Sequence, residues 1–195
     1  AGHQDLPQDP VGDLERTADD GPLLGRELLL LGDQVDADKT SAKVRRFLRR
    51  RRSAGHQGPS DQVVTFDEYT KLYLESWRDP EVRWLFATVP TVMIFDDHEM
   101  IDDWNTSAAW RATIRREPWW AERITGAYMS YWLYQHLGNV PPAMLAGSHP
   151  WDDIVHDRDN GPALRRFAEP ADEEAGEDDV DTTIFSYVRE LDGDV

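Results

Sequence analysis

The chain contains no cysteine. Disulfides, zinc-thiolate clusters and a cysteine nucleophile are therefore excluded, while the compartment stays open. It also lacks any apolar run close to the ~20 residues that cross a bilayer, so no membrane partner is expected. Positive charge is scarce: 21 Lys and Arg stand against 38 Asp and Glu, a formal charge of −17. Such a field repels a phosphate backbone and attracts cations, so no nucleic-acid partner is expected. A secretory signal is not legible, because the first twenty residues carry five aspartates, one glutamate and no apolar stretch.

What is present is enough for one domain. With 195 residues, 39% of them apolar and eight of them tryptophan, the chain can build a sizeable core. We expect residues 1–195 to form a single, incomplete α/β domain. The Gly-, Pro- and Asp-rich stretch 1–22 and the stretch 169–195, with eleven acids against one arginine, are expected to be irregular.

Two short apolar runs stand out. Leu28 to Leu31 stops at Gly32, and Val92 to Phe95 follows Pro90. Both have the pattern of strands buried on two faces. Between them Thr40 or Ser41 can cap a helix carrying Val44, Phe47, Leu48 and Arg51 on one face. Thr65 with Glu68 fits a capping box, and Asp79-Pro80 starts a further helix. Beyond the second run, one helix is expected from about Ser107 to Arg116 and a longer one from about Pro118 to Leu137, ending at Gly138. Strands separated by helices imply a parallel sheet covered on both faces.

Each run ends in acids. Asp33, Asp36 and Asp38 follow the first; Asp96, Asp97 and Glu99, with His98 among them, follow the second. In open α/β sheets ligands gather beyond the carboxyl ends of the strands. Carboxylates crowded on one rim repel unless protons or metals neutralise them. Oxygen donors with some imidazole suit calcium, magnesium, manganese or iron better than structural zinc. Taken singly, Asp36 or Asp38 is more often a turn former and His98 a structural residue. The conjunction at two strand ends is what favours a metal site.

These residues resemble a known family. "LLLLGDQVDAD", "TVMIFDDHEMIDDWNTS" and "WWAERITGAYMSYWLYQHLGN", in that order over residues 24–145, are similar to the PhoD-like branch of the metallophosphoesterases, alkaline phosphatase D. The resemblance implies a β-sandwich flanked by helices and hydrolysis of phosphate mono- or diesters, small-molecule phosphoesters, at a centre of two or more metals. It implies calcium, manganese or iron as cofactor, with Asp33 as bridging ligand, Asp36 and Asp97 as further metal ligands, and His98 as the catalytic residue facing the phosphate or leaving group, oriented by Glu99. The family usually has tyrosine where this chain has Asp36, which favours a plainer divalent site over ferric iron. The family's upstream and downstream metal motifs are not recognisable, so the chain resembles a member cut at both ends. An inactive metal-binding α/β domain is the alternative reading, and an α/β interaction protein whose acids merely form turns is a third.

Three other features have plainer expectations. The run Arg45, Arg46, Arg49, Arg50, Arg51 and Arg52 could draw anionic substrate to the rim, but a solvated helix face balancing nearby acids is the better expectation. Trp119, Trp120, Tyr128, Tyr131, Trp132 and Tyr134 have the spacing of core residues. Asp102 and Asp103 could add an outer metal ligand, but capping the next segment is the better expectation; His136, His149 and His156 carry no paired ligand spacing. "EEAGEDDVD" lacks EF-hand spacing and is expected to be flexible.

Overall fold

A computed structural model describes residues 27–104, 107–146, 150–156 and 160–170. The segments expected to be irregular, apart from Glu169 and Pro170, lie outside the described residues, as do His149 and "EEAGEDDVD".

Strand β1 (Leu28–Leu30) lies parallel to β2 (Thr91–Met93), with Leu28 opposite Thr91 and Leu30 opposite Met93. One further backbone bond at each end, Leu28 N to Pro90 O and Ile94 N to Leu30 O, completes the ladder. The crossover between the strands is helical, as a parallel pair requires: α1 (Ala42–Ser53), α2 (Phe66–Ser76) and α3 (Pro80–Thr88). The class is thus α/β, but mostly helical, and among the described residues the sheet has two strands and forms no sandwich. The expectation of burial on two faces holds for β2, where Val92 and Met93 are both 7% exposed, and is corrected for β1. Leu29 and Leu31, alternate residues that share one face, are 56% and 75% exposed, and Ile94 just past β2 is 40% exposed, so that side is left uncovered among the described residues.

The helix starts follow local chemistry. Ser41 Oγ accepts from Val44 N at the head of α1, and Arg50, Arg51 and Arg52 occupy its last turn, where cations favour the dipole. Thr65 and Glu68 form the full capping box of α2, and Asp79 caps α3 with Pro80 at its first position. Ser107 caps the short α4 (Ala108–Ile114).

The core centres on α5 (Trp120–Tyr131), which packs against α2 and against α9 (Gly161–Ala168). Trp120, Tyr128, Tyr131 and Trp132 are buried, as the aromatic spacing predicts. Gly126 allows the close approach to the α2 entry: a Cβ there would sit 2.6 Å from Val64 O. The expected end at Gly138 is corrected. After Tyr131 the helix widens into a π turn (Trp132–His136) and runs on through α6 (Leu137–Asn139). It stops only at Val140, which is extended ahead of Pro141 as the proline requires. Two short helices, α7 (Pro142–Leu145) and α8 (Trp151–His156), lead to α9.

Asn139 ties this helix end to the sheet. Its Oδ1 accepts from Met93 N at 2.9 Å and its Nδ2 donates to Met93 O at 2.6 Å. The buried amide thereby does for β2 what a neighbouring strand would do.

Candidate functional site

The two loops leaving the strands are stitched to each other. Gly32 (φ +116°) and Asp33 (φ +57°) turn the chain out of β1 in the left-handed region. There Asp33 N donates to Asp96 Oδ2 at 3.1 Å. Asp96 also caps the 3₁₀ turn Asp97–Glu99, accepting from His98 N at 3.0 Å. Glu99 closes the arrangement, accepting from Gln34 N on Oε1 and from Asp96 N on Oε2, each at 2.9 Å. Ala37 N donates to His98 O at 2.9 Å.

Buried side chains hold the second loop from below. Tyr69 of α2 donates its hydroxyl to Glu99 O at 2.9 Å, and Arg123 of α5, fully buried, donates Nε to Met100 O at 2.7 Å. Burial drives the Tyr69 phenol well above its ordinary pKa, so it stays a donor. Sequence reasoning missed Tyr69 and Arg123 because both act across packed helices. The Arg123 charge also favours ionised Asp38 above it.

Around His98 the acids fall into two groups. Its Nε2 lies 3.6 Å from Asp33 Oδ1, and its Nδ1 lies 4.0 Å from Asp36 Oδ2. Asp36 Oδ1 accepts from Lys39 N at 2.7 Å and from Asp38 N at 3.3 Å, so one oxygen forms the turn and the other faces His98. Asp36, Asp38 and His98 each offer a donor atom within 4.8 Å of the others. Asp97 falls in the other group: its Oδ2 accepts from Asp103 N at 2.9 Å, and it groups with Asp102 and Asp103. Asp102 joins the groups, 3.9 Å from His98 Nε2 and 2.6 Å from Lys39 Nζ.

The charges are only partly compensated. Partial burial would lower the His98 pKa, but Asp33, Asp36, Asp102 and Asp96 outweigh it and hold the imidazolium above its ordinary range. Burial, then the hydrogen bond and charge of Asp36, raises Asp38. Burial, then the shared hydrogen bond with Asp96, pushes Glu99 up to about 8. Two donor atoms at this rim, His98 Nδ1 and Asp38 Oδ1, are buried without a hydrogen-bond partner. Buried polar atoms are normally paired. Two orphans aimed into a set of oxygen and imidazole donors fit a cation that would satisfy both.

The family model for the PhoD-like phosphatases matches residues 27–147, most of the described chain and both loops. The chain belongs to the PhoD-like phosphatase family. That family is metal-dependent, in keeping with the donor set around His98 in this PhoD-like chain. No curated protein and no solved structure matches the chain. No helix among the described residues is long and apolar enough to cross a membrane.

The arginine run of this PhoD-like chain divides. Arg51 Nε and Arg52 Nη1 donate to the fully buried Glu68 at 2.9 and 2.5 Å. Those two arginines hold α1 on α2, while Arg46, Arg49 and Arg50 remain exposed.

Proposed function

We propose that this chain carries part of a metal-dependent hydrolase of phosphate mono- or diesters, with its reaction centre on the rim between the β1 and β2 loops. The observation that supports it most is the convergence of Asp33, Asp36, Asp38 and His98 there, with two orphaned buried donor atoms among them. Asp36, Asp38 and His98 Nδ1 would hold one cation, with Asp33 beside it. Asp97, Asp102 and Asp103 offer a second, adjacent set. Calcium and manganese suit these oxygen-rich donors, and so does iron through the imidazole. When bound, such ions supply Lewis acidity to activate water and to balance the phosphoryl charge.

The chain's own residues do the rest. His98 keeps its Nε2–H on the open side, beside the exposed Asp33, where it donates to the departing oxygen of the ester. Glu99 and Asp96 fix both loops, so the donors are placed before substrate arrives. At saturating metal His98→Ala lowers kcat about 100-fold or more. Unchanged turnover would remove His98 from the reaction.

The sandwich implied by the resemblance belongs to the same proposal. Leu29, Leu31 and Ile94 offer bare apolar surface for neighbouring strands. A longer form of the protein in which Leu31 stays open to solvent would count against it.

A further inference from the structure

A second concavity lies away from the acidic rim. It has a volume of about 880 Å³ and is walled by α2, α3, β2 and the π turn. Pockets of this size, between about 300 and 1,000 Å³, take small molecules. Its wall is a run of touching rings: Tyr73 stacks on Tyr134 at 4.6 Å, Trp77 meets Tyr73 edge-on at 5.1 Å, and Phe86 meets Trp77 at 5.4 Å. Arg78 and Arg83 also line it. Both are exposed, and neither pairs with an acid among the described residues.

Two features set this pocket apart from ordinary surface relief. The first is charge. In a chain of −17, Arg78 and Arg83 come together on one wall, whereas Arg51, Arg52, Lys39 and Lys43 are engaged by acids. Two unpaired guanidinium groups beside an aromatic wall form a local attraction for an anion that the overall field otherwise repels. The second is the π turn, a geometry that recurs at functional sites. It brings Tyr134 and Gln135 to the wall. Gln135 is only 2% exposed, and its Oε1 has no hydrogen-bond partner, while its Nε2 donates to the Tyr73 hydroxyl at 2.8 Å.

We infer that this pocket binds a small amphipathic anion: an apolar ring body packed on Trp77, Phe86 and Tyr134, which the buried Tyr73 backs, with its carboxylate or equivalent charge met by Arg78 and Arg83. Guanidinium matches a carboxylate in a two-pronged geometry, and the rings match a flat apolar body. None of the metal-binding donors lines it, and it is linked to the rim through Gln135 Nε2, which also donates to Glu99 Oε1 at 3.2 Å.

The test is isothermal titration of the full chain with 2-naphthoate in EDTA, alongside the neutral isostere 2-naphthalenemethanol. We expect one naphthoate site, with the alcohol binding at least ten-fold more weakly. The double variant Arg78→Gln/Arg83→Gln should lose about ten-fold in naphthoate affinity with Tm held, since both positions are exposed. Ala87→Trp, an exposed lining position, should block binding by filling the space. Asp33→Asn should leave it unchanged. Absence of naphthoate binding, equal binding of acid and alcohol, or wild-type affinity in the double arginine variant would each overturn the inference.

Discussion

Gly32 and Asp96 occupy the same few ångströms: a Cβ built on Gly32 would lie 2.0 Å from Asp96 Oδ2. The same carboxylate oxygen receives the Asp33 N–H. The join between the two loops therefore depends on a residue with no side chain, held at φ +116°.

Gly32→Ala tests that join. The methyl group must displace the Asp96 carboxylate, and alanine is strained at this φ, a backbone cost of about 1–3 kcal/mol. At roughly 2–4 °C per kcal/mol for a chain of this size, Tm should fall by several degrees. Thermal melts of wild type and variant check it. An unchanged Tm would mean that the loops tolerate separation.

The Glu68 cluster gives a prediction in pH. Burial alone would raise this carboxyl, but the Arg52 hydrogen bond and charge, with the Val64 and Thr65 N–H groups, hold it below its ordinary 4.5. The folded state then releases the proton more readily than the unfolded one. Its contribution is complete above about pH 4.5 and declines as pH falls through the lower folded value. Glu68→Gln should therefore be less stable than wild type at pH 7, with the difference shrinking in acid. Breaking a buried pair of this kind costs about 3–5 kcal/mol. Urea titrations of both proteins from pH 7 to pH 3 provide the comparison, and a constant difference would refute the assignment.

Asn139 should be intolerant of an isosteric apolar residue. In Asn139→Leu both Met93 N and Met93 O lose their partner in a buried setting. Each unpaired group costs about 1–3 kcal/mol, so a loss of a few kcal/mol is expected. Hydrogen exchange at the Met93 amide should rise with it. Protection equal to wild type would show that β2 does not rely on the side chain.

Legibility in the sequence followed the range of each interaction. The Ser41, Thr65, Asp79 and Ser107 caps act within three residues, so the residue types announce them. The parallel strands were legible from two apolar runs, and with them the approach of Asp36 to His98, 62 positions apart in the numbering. What was hidden depends on packing between distant segments. Asn139 reaching Met93, and Arg123 lying under Met100, leave no periodic trace. The partner of Asp97 was equally hidden, since the cap at Asp96 sets the 3₁₀ turn from which Asp97 accepts the Asp103 N–H. The open face of β1 was masked because an apolar triplet looks the same in an edge strand as in a covered one.

The central claim is that the rim holds metal for phosphoester hydrolysis, and Asp33 tests it most cleanly. Asparagine accepts the left-handed conformation at this position, and the bond to Asp96 uses the Asp33 backbone N–H. Asp33→Asn should therefore keep the fold. The decisive measurement is hydrolysis of p-nitrophenyl phosphate and bis-p-nitrophenyl phosphate with calcium, manganese or iron, paired with Tm at each ion, for wild type and Asp33→Asn. The account predicts metal-dependent turnover and a metal-dependent rise in Tm for wild type, with turnover lost in the variant. Metal that raises Tm without turnover would leave a metal-binding part of an enzyme and contradict turnover by this chain alone. No response of Tm to any of the three ions would contradict the metal centre itself.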